Sequence, residues 1–147
     1  MIKSGVVVRL LNSLQQHVGT LRPLQNESLA ALSADTLRWN GTLHLLQLSV
    51  EHVMDISNHL LAGLRRQVPD DGREAIRQLG RGTGVLPYEF AERIAPMSGL
   101  RNVIVHEYLT VDPLIVHQAL LRGLDDFDEF AQHVYDYLRR EGLLPSE

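Results

Sequence analysis

Apolar residues recur at helical spacing along most of this chain, and no segment shows the alternation of a strand. Val7, Leu10, Leu11, Leu14, Val18 and Leu21 define a first amphipathic helix over Val6 to Leu24, which Arg22-Pro23 ends or kinks. Ser33 is placed to cap a second helix from Ala34 to Leu64. Its stripe is Leu43, Leu46, Val50, Val53, Ile56, Leu60 and Leu64, over a length of about 45 Å. Gln67 to Gly72 reads as a turn, followed by a short helix over Arg73 to Leu79. Pro87 suits the first position of another helical piece, which Ala95-Pro96 interrupts before a helix from Met97 to Tyr108. Asp112 as cap and Pro113 in the first turn open a last helix that Gly142 terminates. Its expected core includes Leu114, Val116 or His117, Leu120, Leu121, Leu124, Phe127, Phe130, Ala131, Val134 and Leu138. The pattern predicts an all-α protein: one domain over residues 1–147, a four-helix bundle with additional short helical segments before the third main helix.

Composition narrows the function. The 147 residues are 44% apolar and 22% charged, enough to bury a core without staples. With no cysteine there is no disulfide framework and no thiolate metal site. No stretch approaches the roughly 18 apolar residues of a membrane span, and the first residues lack the pattern of a signal peptide, so a cytoplasmic protein is expected. The net charge of −4 argues against a general nucleic-acid coat. Its distribution is uneven, however. Residues 65–106 carry seven arginines against five acids, whereas residues 107–147 carry nine acids against three arginines. Any RNA contact is therefore expected locally, around Arg101 and among Arg65, Arg66, Arg73, Arg77, Arg81 and Arg93. The acidic C-terminal region is either a solvated surface or a face for a basic partner.

The densest chemistry lies in Arg101-Asn102-Val103-Ile104-Val105-His106-Glu107-Tyr108. On a helix, Asn102 and His106 lie one turn apart on one face, and Arg101 and Tyr108 two turns apart on another. Val103, Ile104 and Val105 supply the anchoring side. Metal-free attack on a phosphodiester needs this combination of a proton-transfer group and a fixed cation on the phosphoryl oxygens. The same residues also fit a structural role, as cations complementing the end of a helix.

The spacing Arg-Asn-x-x-x-His-x-Tyr resembles the signature of the HEPN superfamily of helical ribonucleases, in its HepT-like toxin branch. Thr110-Val111-Asp112-Pro113 resembles the acidic turn that follows the motif in that branch. Val53 to His59 and Gly84 to Pro96 match as well, so the likeness runs from about Val7 to about Tyr137. It implies a metal-independent endoribonuclease toxin acting on RNA, with Arg101, His106 and Asn102 as catalytic residues and no cofactor. It also implies Tyr108 as the acceptor of adenylyl groups from a partner, a minimal nucleotidyltransferase antitoxin. Asp55 lies in one of the matching stretches, as a supporting residue near the groove. Stoichiometry adds an expectation of its own. One motif offers one imidazole, while RNA cleavage by its own 2′-hydroxyl needs both a base and an acid, so two copies of the motif are expected to face each other in a homodimer or higher homo-oligomer.

Two other readings stay open. Helical domains of the same superfamily serve as non-catalytic nucleotide- or substrate-binding modules beside nucleotidyltransferases. Separately, His44, Glu51, His52, Asp55 and His59 share a quadrant of the second helix and could ligate a divalent metal, although a polar surface or hydrogen-bond network accounts for them as well. Gly80, Gly82 and Gly84 follow a helix and lack a following Lys-Ser/Thr, so they read as a helix end and flexible loop rather than a phosphate loop.

Overall fold

In the computed structural model, which describes residues 1–144, the first helix α1 (Ser4–Leu21) buries Val7, Leu11, Leu14, Val18 and Leu21. It stops three residues before the predicted Leu24. Pro23 has no N–H to continue the helical ladder, and the chain tightens into a 3₁₀ segment, Arg22–Asn26. The predicted Ser33 cap is also displaced. Ser28 caps a short α2 (Leu29–Ala34) by accepting from the Ala31 N–H at 3.1 Å, and Asp35 caps α3 (Thr36–Gly63) by accepting from the Arg38 N–H at 3.1 Å. The Ser33 hydroxyl donates backwards to the Ala30 carbonyl, so Asp35 is the residue left free to receive an N–H of the next helix.

The α3 stripe from Leu43 to Leu60 is fully buried, and Leu64 is half-buried. Both faces of this helix are used. It packs on α1 along one side and on α4 (Gly72–Leu79) and the later motif helix along others. Gly80 ends α4, where a Cβ would stand 2.5 Å from that of Ala91 on α5 (Tyr88–Ile94). The loop beyond is pinned rather than flexible. Gly82 and Gly84 take left-handed φ of 78° and 81°, Arg66 donates to the Arg81 and Gly82 carbonyls, and Arg140 to that of Gly84.

The motif helix α6 (Met97–His106) is two residues shorter than predicted, leaving Tyr108 in a turn. The Glu107 carbonyl accepts from the Thr110 N–H at 2.8 Å and from its hydroxyl, a local closure that competes with another helical turn. Asp112 then caps α7 (Pro113–Gln118), as predicted. The last helix is not continuous. A π turn, Ala119–Gly123, separates α7 from α8 (Leu124–Arg140). Here the Gln25 amide inserts a donor at 2.6 Å from the Leu120 carbonyl, the acceptor that Leu124 N–H would use in an α-helix. The predicted core is corrected here: Val116 is buried and His117 is not, while Leu114 and Leu121 face outward at 62% and 45% exposure, since at 100° per residue both lie about 100° or more from the middle of the stripe of Val116, Leu120 and Leu124. From α8, Phe127 and Phe130 close the core against α1 and α3. Beyond it Gly142, at φ 67°, ends the helical run as predicted.

Much of the C-terminal acidity is neutralised within the fold. Arg22 bridges Asp125 and Asp128, Arg93 bridges Asp126 and Glu129, and Arg139 pairs with Asp136. One titratable contact lies between α1 and α3, where the His17 and His52 rings stack with centroids 5.2 Å apart. Burial, then the imidazoles of His52 and His44, hold His17 below its ordinary value of 6.5. The unfolded chain therefore binds more protons here than the folded one, so this contribution to stability rises with pH and is lost on acidification below 6.5. Replacing His17 by Gln is expected to flatten the acid limb of stability, measured by urea unfolding across about pH 5 to 8.

Candidate active site

The site is built at the C-terminal end of α6. Ile104 is fully buried and Val103 half-buried against the core, which fixes the rotation of the helix and leaves Asn102, Val105 and His106 outside. Asn102 and His106 lie one turn apart on one face, as predicted. Tyr108 does not share a helical face with Arg101, because the helix has ended. It sits in the following turn at 43% exposure, and its hydroxyl has no hydrogen-bond partner among the described residues.

Arg101 is held from across the fold. Its Nε donates to Glu51 Oε1 on α3 at 3.2 Å, and one Nη reaches Asn102 Oδ1 at 3.5 Å. The same Glu51 oxygen accepts from the Gln47 amide at 3.2 Å, so the carboxylate is itself steered from one turn away. Using Nε for the anchor leaves most of the guanidinium fork open to an anion. Glu51 was visible in sequence only as a member of a polar quadrant. Its partner lies fifty residues away, and only the packing of α3 on α6 brings the two together.

The other residues of that quadrant diverge. His52 stacks on His17, with its Nδ1 buried and unpartnered. Asp55 and His59 are exposed and line an open pocket with Asn58, Ala62 and Val68, which no motif residue enters. Among the described residues, no three His, Asp or Glu side chains converge in a way that holds a metal. Exposed apolar side chains instead recur along the chain from the motif onward. Val105, Tyr108, Leu109, Leu114, Ile115 and Leu121 follow one another from the end of α6 to the π turn, with Leu109 92% exposed.

Comparison with known proteins places this helical bundle in a class of ribonucleases. The ribonuclease HepT-like family matches residues 12–134, and the chain belongs to that family. Its enzyme class is accordingly that of an endoribonuclease. A tRNA nuclease HepT of Aphanizomenon flos-aquae is 31% identical over 137 residues, covering 93% of this chain and 92% of the relative. An mRNA nuclease HepT of Shewanella oneidensis is 28% identical over 85 residues, covering 58% of this chain and 63% of that one. In fold, the chain is similar to a tri-AMPylated HEPN toxin of Shewanella oneidensis solved in complex with its MNT antitoxin. The TM-score is 0.77 at 19% identity, over 89% of this chain and 97% of that one. Among the described residues, no helix is long and apolar enough to cross a membrane.

The anchor makes a separable prediction. The Arg101–Glu51 pair is about one-third exposed, so Glu51→Ala, which removes the acceptor, is expected to change stability by no more than about 1 kcal/mol. It should nevertheless free the guanidinium, and loss of a sharp Arg101 Nε–H resonance in the NMR spectrum of a folded variant is the check.

Proposed function

We propose that this protein is a metal-independent endoribonuclease toxin whose active site is assembled from two copies of the Arg101–His106–Tyr108 motif. In this reading a partner nucleotidyltransferase antitoxin silences it by adenylylating Tyr108. The observation that carries the proposal is the Glu51-anchored Arg101 beside an exposed Asn102 and His106, a cation and a proton-transfer group fixed to one helix end.

The chemistry needs no external nucleophile. One His106 takes the proton of the ribose 2′-hydroxyl as that oxygen attacks phosphorus. The His106 of the second copy protonates the 5′-oxygen as the P–O5′ bond breaks, leaving a 2′,3′-cyclic phosphate and a 5′-hydroxyl. Arg101 from each copy holds the charge developing on the non-bridging oxygens, and Asn102 orients a ring or a phosphate. The exposed Val105, Tyr108 and Leu109 within and just after the motif support pairing, since they leave apolar surface for a second copy to cover. RNA as substrate is supported by the family and by the activities named for the two HepT relatives; tRNA follows the Aphanizomenon flos-aquae relative, matched over 93% of this chain.

Purified protein is expected to cut RNA in excess chelator and leave cyclic phosphate ends. His106→Ala and Arg101→Ala should each abolish cleavage while keeping the wild-type size in solution. Full cleavage by either variant would sink the assignment. An inert wild type, shown unmodified by intact mass, would instead favour the non-catalytic binding module.

The exposure of Tyr108 supports the silencing arm of this reading. Its free hydroxyl can lose its proton and attack the α-phosphorus of a nucleoside triphosphate, with pyrophosphate leaving. The adduct then puts phosphate charge beside the groups meant for RNA phosphates. Tyr108→Phe is expected to cleave RNA yet acquire no adenylyl mass and escape silencing when the nucleotidyltransferase is co-expressed. Silencing of this variant to the wild-type degree would remove Tyr108 from the mechanism.

A further inference from the structure

The basic middle of the chain carries seven arginines, and the fold sorts them. Arg77 pairs with Glu92, Arg81 with Glu74 and Glu92, and Arg93 with Asp126 and Glu129. Arg66 spends its guanidinium on two loop carbonyls, and Arg101 is tied to Glu51. Among the described residues, only Arg65 and Arg73 of the seven make neither an ion pair nor a side-chain hydrogen bond. Arg73 alone is seen against the motif helix: its Nη2 stands 3.8 Å from the point where a Cβ of Gly99 would be.

That placement is enforced. Arg73 is in the first turn of α4, and the preceding Gly72 is wedged between α3 and α6, where a Cβ would meet Met54 Sδ at 2.4 Å and Ser98 Cβ at 3.6 Å. A larger residue at 72 would have to displace the Met54 side chain, while its contact with Ser98 on the motif helix would be ordinary van der Waals packing. Both nearby acids in sequence are engaged elsewhere: Asp71 turns its carboxylate to the Arg73 backbone N–H at 3.0 Å as the helix cap, and the adjacent Glu74 accepts from Gln78 and Arg81.

At about 100° per residue, Gly99, Asn102 and His106 fall on one stripe of α6 within about 60° of rotation. Arg73 overhangs one end of this stripe and His106 forms the other, about 10 Å further along at 1.5 Å per residue. That separation is too large for Arg73 and His106 to share one phosphate, but it suits a neighbouring phosphate of the same strand. Gly99 carries no side chain to block the path between them. We propose that Arg73 binds an RNA backbone phosphate flanking the scissile one, so that the strand runs along the Gly99–Asn102–His106 stripe. The inference rests on the ribonuclease reading of the site and adds to it a sequence-independent contact that sets affinity and register rather than bond breaking.

Binding of a fluorescent single-stranded RNA to His106→Ala protein, titrated across salt concentrations, separates the two ideas. Adding Arg73→Gln should raise Kd several-fold and lower the log Kd–log salt slope by about 0.7 for each Arg73 engaged. Arg139→Gln, which removes the same charge from a pair with Asp136, should change neither by a comparable amount. In the His106-intact protein, Arg73→Gln should impair cleavage of a long RNA far more than of a dinucleotide, which has only the scissile phosphate. Thermal unfolding of each variant controls for the fold. An unchanged Kd and slope for Arg73→Gln, or an equal loss from Arg139→Gln, would overturn the contact while leaving the cleavage assignment in place. Absence of cleavage by the wild type, with no RNA binding by the His106→Ala parent, would take down the ribonuclease reading itself.

Discussion

The packing of α3 is the constraint on which the other elements depend. Its buried stripe from Leu43 to Leu60 is long enough to receive α1 on one side and α4 and α6 on others, and α8 closes over what remains. Because interiors pack at near-crystalline density, that contact fixes the rotation and height of α6 to a fraction of a side chain. Glu51 rides on the same helix, one residue beyond the buried Val50, and it reaches Arg101 only because α6 is held at that height. The core and the site are therefore a single arrangement: the hydrophobic contact positions the ion pair, and the ion pair aims the cation.

Electrostatics adds selection to this framework. The middle of the chain is basic on balance and the C-terminal region acidic on balance, but folding pairs many of these charges across elements. What stays open is a short row along α6, with Arg101 anchored by a single nitrogen and His106 exposed beyond it. An acidic protein can meet a polyanion this way, through a few uncompensated groups on one edge rather than through its overall charge.

The sequence shows those parts of the fold that are governed by periodicity. The stripe of α3, the Asp112 cap and the Gly142 stop are all where spacing and local chemistry place them. Helix starts and ends were less legible, since Ser33 and Asp35 are both competent caps and only their actual partners distinguish them. The end of α6 depended on Thr110 closing a turn onto Glu107, which moved Tyr108 off the helix. Contacts between elements left no local trace at all. Neither Glu51 with Arg101 nor Arg73 with Gly99 can be read from spacing, because each pair is joined only when separate helices have docked. The motif names its own residues, but not the neighbours that orient them.

The π turn between α7 and α8 acts as a phase shifter. One residue more than an α-helix requires rotates everything upstream by about 100° relative to α8, so the face that α7 presents depends on this turn. The outer surface beside the motif is thus specified by a residue count as much as by residue identity. A lineage that lost a single residue between Ala119 and Gly123 could redraw the face that its motif presents to other molecules without altering one apolar side chain, so insertions and deletions, rather than substitutions, are the changes to which this surface is most sensitive.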